Sequence, residues 1–138
     1  MPKVVYTPAR GLVQEGGSGF ATSTFPFAPS VTAITTVANN TGSLPGVYTV
    51  AAGGVATVKM PLASAYPGGL FIFRNGDARA NILTGSGEAA GTTVFTDGTS
   101  RGSRLTLAGV TGNSVALASD GVSYLVLSNS GSLTFAGT

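Results

Sequence analysis

Between Asn113 and Leu127 the chain reads NSVALASDGVSYLVL, two short apolar runs on either side of Asp120-Gly121. A DG pair between alternating hydrophobics is a strong local hairpin signal, because a type I′ turn needs φ > 0 at both central positions. The alternation places Val115 and Leu117 on one face of the first strand. On the second it places Val122, Tyr124 and Val126 together, with Leu125 and Leu127 opposite. Neither strand has a polar face, so both sides of this hairpin are expected to be covered.

The same device recurs along the chain. VTAITTVA (31–38) is β-branched and mostly alternating, and it stops at Asn39-Asn40-Thr41-Gly42. VYTV (47–50) and VATVKM (55–60) read as a hairpin around Gly53-Gly54, and LFIFR (70–74) and ARANILT (78–84) as a second around Asn75-Gly76-Asp77. TTVFT (92–96) and SRLTLAG (103–109) suggest a looser third pairing across Asp97-Gly98, the DG hairpin is the fourth, and SLTF (132–135) closes the chain. This amounts to roughly ten short strands with a turn about every ten residues, the spacing of a sandwich or barrel. No long stretch has apolar residues at helical spacing without a Gly or Pro. The expected fold is all-β: an antiparallel two-sheet sandwich, jelly-roll-like, over residues 31–138. An open, prism-like sheet shared among subunits is the second architecture that fits.

Residues 1–30 differ. Pro2, Pro8, Pro26 and Pro29 interrupt regular structure, and Gly11, Gly16, Gly17 and Gly19 loosen it. The segment still carries Tyr6, Leu12, Phe20, Phe25 and Phe27, side chains that a disordered linker rarely holds. It is expected to be an extended N-terminal arm that docks these residues on its own domain or on another subunit. The plainer alternative is a set of irregular edge strands of the same domain.

Composition sharpens this picture. Charged residues are 9% of the 138, against 43% hydrophobic residues and 21 glycines. An ordinary soluble domain has about 25% charged residues. A surface so poor in charge suits a chain that hides part of itself against neighbours, hence a homo-oligomer. The seven Lys and Arg are too dispersed for a nucleic-acid footprint, and no apolar run is long enough for a membrane helix. The N-terminus lacks the apolar core of a signal peptide, so synthesis and retention in the cytoplasm are expected, unless the chain leaves inside a larger particle.

The residues of common catalysis are missing. With no Cys and no His, there is no thiolate and no imidazole to act as nucleophile, base or metal ligand. Three of the five carboxylates, Asp77, Asp97 and Asp120, sit beside Gly in predicted turns, where Asp is favoured for its backbone bonding. Glu15 and Glu88 remain, and a glycosidase pair built from two of the five is a weaker reading than turn chemistry. GSGEAAG (85–91) lacks the following helix that a phosphate cradle needs. A Ser–Lys arrangement would have to use Lys3 or Lys59, and neither lies in a motif. Neither catalytic residues nor a cofactor or metal is expected. Arg74, Arg79, Arg101 and Arg104 form the one cationic group worth following, as solvated charge or as contacts to an anionic partner. Phe71, Phe73, Phe95, Tyr124 and Phe135 fall in strands and are expected in the core.

TGNSVALASDGVSYLVLSNSGSL (111–133) resembles a hairpin of bacteriophage virion proteins: tail fibres, head fibres and capsid decoration proteins. There an sv.L.sdG..W.vl..sG pattern ends a small trimeric β-domain, and Tyr124 stands where that pattern has Trp. KVVYTPARGLVQEGGSGF (3–20) is similar to the start of short phage structural proteins. The resemblance implies a virion component, trimeric and without enzymatic activity. A tail fibre has a long repetitive shaft, whereas this chain pairs a short arm with one domain. The expectation is therefore a capsid decoration (cement) protein on the capsid exterior, with the major capsid protein as its partner. A receptor-binding fibre or spike tip, or a glycan-binding β-domain of lectin type, is the alternative.

Overall fold

Three times in succession the chain lays a strand in one sheet and the next strand in another. β3 (Val31–Ile34) leads to β4 (Asn40–Thr41), β5 (Gly46–Val50) to β6 (Thr57–Met60), and β7 (Leu70–Asn75) to β8 (Ile82–Gly85). Each coil stacks on the one before. Val31 lies beside Val47 and Val47 beside Ile72 in the first sheet, and Asn40 beside Val58 and Val58 beside Leu83 in the second, all parallel. The computed structural model describes residues 3–7, 11–15, 31–37, 40–42, 44–85 and 93–137. For the first two strands, β1 (Lys3–Thr7) and β2 (Gly11–Glu15), only the backbone pairing is described.

The second half of the chain is antiparallel for the most part. β12 (Ser114–Ser119) and β13 (Tyr124–Ser130) form a hairpin whose first strand pairs with β7. β9 (Phe95–Thr96) lies parallel to the start of β13 and antiparallel to β10 (Arg101–Gly102). β11 (Arg104–Leu107) sits between β8 and the final strand, β14 (Leu133–Ala136). The result is a seven-stranded sheet, β10-β9-β13-β12-β7-β5-β3, and a five-stranded sheet, β14-β11-β8-β6-β4. The Ser103 N–H donates to the Gly137 carbonyl at 2.6 Å, which ties the β10 edge of one sheet to the β14 end of the other.

Between the sheets lies one apolar core. Tyr48, Val50, Phe71, Phe73, Phe95, Val115, Leu117 and Tyr124 point in from the larger sheet, and Val58, Met60, Leu83, Leu105 and Leu107 from the smaller. Tyr124 edges onto Phe71 at 5.5 Å and stacks with Phe95 at 5.6 Å, while Tyr48 stacks on Phe73 at 4.9 Å. Each such side chain contributes about 1.5–3 kcal/mol on burial. The expected core aromatics are all here, with Phe135 partly buried at the margin. Among the described residues the sole helical segment is a 3-10 turn at Ala63–Ala65.

One end of the sandwich is pinned by two buried asparagines. The Asn75 side-chain amide donates to the carbonyls of Ala108 (2.8 Å) and Arg79 (3.1 Å), and its oxygen accepts from the Asn81 amide (3.0 Å). The Asn81 oxygen in turn accepts the Ala56 N–H at 2.9 Å. Three connections, those after β5, β7 and β11, are thereby held together. At the other end the Tyr124 hydroxyl donates to the Pro61 carbonyl and the buried Ser119 hydroxyl to that of Ala63.

The expectation of an all-β, two-sheet fold holds, but the antiparallel jelly-roll pattern does not. Both sheets are mixed. The predicted hairpins around Gly53-Gly54 and Asn75-Gly76 are crossovers instead: their flanking strands lie in different sheets. Their turns stack on the neighbouring coils, as the Gly76 N–H donates to the Val50 carbonyl and the Ala51 N–H to that of Ile34. Strands that run parallel cannot be joined by a tight turn, so each turn sends the chain across the core. Asp97-Gly98 does make a short hairpin, but β9 pairs with β10, and the predicted partner strand β11 joins the other sheet. The DG hairpin forms as predicted, though with a four-residue loop that leaves Val122 76% exposed. Leu125 and Leu127 are exposed, and among the described residues no third layer packs on that side.

Candidate interaction surfaces

The arm begins as a hairpin. β1 and β2 pair antiparallel, with Tyr6 opposite Leu12, Val5 opposite Val13 and Lys3 opposite Glu15. Alternation puts Val5 and Val13 on one face and Val4, Tyr6 and Leu12 on the other, so apolar residues occur on both. The two strands form a sheet of their own that joins neither larger sheet. A two-stranded sheet is marginal in water until something packs on it. Of the anchor residues predicted from sequence, Tyr6 and Leu12 are thus cross-strand partners, and Phe20, Phe25 and Phe27 lie outside the described residues.

The outward faces of the two large sheets differ in chemistry. On the five-stranded sheet, alternation sends out Thr57 and Lys59 of β6, Ile82 and Thr84 of β8, Arg104 and Thr106 of β11, and Thr134 and Ala136 of β14. The seven-stranded sheet turns out the apolar residues Val31, Val47, Leu70, Ile72, Ala116, Ala118 and Leu125, with Ser128 beside Ala116 and a further row of Ala33, Thr49, Arg74, Ser114 and Ser130 along one margin. The apolar residues fall into two rows, Val31–Val47–Ile72–Ala116 and Leu70–Ala118–Leu125. A bulge in β13 adds Leu127 as an extra residue beside Ala116, 59% exposed, while Val31 at the opposite side is 74% exposed. Arg74, at the margin beside Thr49 and Ser114, is the one charge on these five strands' outward side.

The four arginines do not make one patch. Arg74 stands on the outward face of the larger sheet and Arg104 on that of the smaller, with the sandwich between them. Arg101 lies on the edge strand β10, and Arg79 in the connection from β7 to β8. All four are exposed.

Three carboxylates hold turns. Asp97 Oδ1 accepts the N–H groups of Thr99 (2.8 Å) and Ser100 (2.6 Å), and Asp120 Oδ1 those of Val122 (2.8 Å) and Ser123 (2.6 Å). These bonds, Ser100's and Ser123's foremost, hold both carboxyls below the usual Asp range. The shared signal is D-G-x-S, DGTS at 97–100 and DGVS at 120–123, and it is more informative than the DG pair alone. Asp77 Oδ2 accepts the Gly53 N–H at 2.9 Å, linking two stacked connections. Glu88 and the loop around it lie outside the described residues. Among the described residues no three of His, Cys, Asp and Glu gather where they could hold a metal ion. Lys59 is exposed on the smaller sheet, beside Thr41 and Thr84.

In comparisons with known proteins, no family model, no curated protein and no solved structure matches the chain.

Proposed function

We propose that this chain is a non-enzymatic virion structural protein, a decoration (cement) protein that binds and stabilises the outer surface of a bacteriophage capsid, as a trimer. The observation that carries the reading is the β1–β2 hairpin, a sheet of its own with apolar residues on both faces. Such an element gains its stability from a surface it docks on. The major capsid protein is that surface. The carboxylates that hold turns and the resemblance of residues 111–133 to phage virion hairpins point the same way. Burial of Tyr6 and Leu12, with Phe20, Phe25 and Phe27 of the same arm, contributes about 1.5–3 kcal/mol for each side chain.

The test is deletion of residues 2–30, followed by co-sedimentation with capsids assembled without the protein. The full chain is expected to pellet with capsids, and the truncated chain to stay in the supernatant with its melting transition nearly unchanged. Binding should depend little on salt, because Lys3, Arg10 and Glu15 are the arm's only charges. A truncated chain that still pellets would move the capsid-facing surface to the loops of the body.

A further inference from the structure

The outward face of the seven-stranded sheet has no place in capsid docking through the arm, yet it is the more apolar of the two outward sheet faces. Five adjacent strands, β3, β5, β7, β12 and β13, present two rows of aliphatic and small side chains there, with Thr49, Arg74, Ser114 and Ser130 confined to one margin, whereas on the other sheet threonines, Lys59 and Arg104 surround the single Ile82. We infer that this face packs against the same face of a second copy of the chain. Three features favour a second copy over another partner. The face lacks the charges that an oppositely charged protein or an anionic glycan would select, and Arg74 at its margin leaves the middle free of like-charge repulsion. It is also self-complementary in relief: Val47 and Ile72 on one side and Leu125 and Leu127 on the other flank a trough over Ala116 and Ala118. One copy therefore carries both the ridge and the groove that a symmetric contact requires. The size fits as well. Five strands about 4.8 Å apart and about five residues long cover about 24 by 16 Å, close to 400 Å² in plan. Side chains standing above the sheet raise the accessible area, so two apposed faces reach the roughly 1,000 Å² of a specific interface.

This inference stands whether or not the chain binds capsids. Its test is sedimentation equilibrium of the full chain at tens of micromolar, without capsids. The expected species is an even multiple of 13.6 kDa, because a face-to-face contact is two-fold and pairs either single chains or the proposed trimers. Val31→Lys with Leu127→Lys, both at exposed positions, should halve that mass, while Thr106→Lys on the opposite sheet leaves it unchanged. Because the chain has no Cys, Leu127→Cys and Thr106→Cys each introduce a single thiol, and a short bis-maleimide should link copies through the first and not the second. A wild-type monomer or an unpaired trimer at 100 µM would overturn the inference. So would a multimer whose mass ignores both lysines and which cross-links through position 106 in preference to 127.

Discussion

Asn75 shows how much of this body depends on single polar groups. Its amide donates two hydrogen bonds and accepts a third while fully enclosed, so only a side chain with both donor and acceptor fits. Asn75→Ala is expected to lower stability by about 2–4 kcal/mol, because buried partners lose their bonds. A urea midpoint shift reads the loss, and Asn75→Asp, with no donor, should be no better. Tyr124 gives a second handle. Burial foremost, with Tyr66 nearby, pushes its hydroxyl from the ordinary 10.0 up to about 12. The folded chain therefore holds this proton where the unfolded chain has lost it. Stability is intact below pH 10.0 and falls as pH rises from there towards about 12. Tyr124→Phe should flatten that alkaline slope while losing about 1 kcal/mol at neutral pH, with the bond to Pro61. Tyr48, raised chiefly by burial as well, keeps part of the slope in place.

At the scale of elements, strand positions and the core aromatics were legible from alternation, but partners were not. A turn pair such as Gly53-Gly54 says that the chain bends; it does not say whether the next strand returns beside the first or crosses to the facing sheet. Stacking of successive coils decides that, through contacts such as Gly76 to Val50 that local sequence does not carry. The D-G-x-S loops were the more readable case, since Asp fixes the loop from within and Gly121 supplies a φ of 90°. Both aspartates are held below the usual range by backbone N–H groups, so their contribution is present above about pH 3.8 and fades as pH falls below it. Asp120→Ala should accordingly lower the melting temperature at pH 7, with the gap to wild type closing in acid. The arm was legible as apolar, but the antiparallel pairing that sets Tyr6 opposite Leu12 was not, because Pro8 and Gly11 read as breaks and not as the ends of a turn. The arginine group was not, because sequence proximity hid the sandwich that separates Arg74 from Arg104.

Taken whole, the molecule is asymmetric: one sheet faces outward mainly with threonines and cations, the other mainly with aliphatics above a polar margin, and the β1–β2 hairpin belongs to neither sheet. A chain with 9% charged residues distributes this way when it is built to be covered. In the proposed reading the arm and the aliphatic face divide the work, one towards a capsid and one towards copies of the same chain. Assembly on a capsid lattice is the central claim, and stoichiometry in the particle tests it most directly. Quantitative mass spectrometry of intact virions should find this chain in hundreds of copies, in fixed proportion to the major capsid protein. A handful of copies per particle would mark a fibre or spike component instead, and absence from the particle would contradict the virion role altogether.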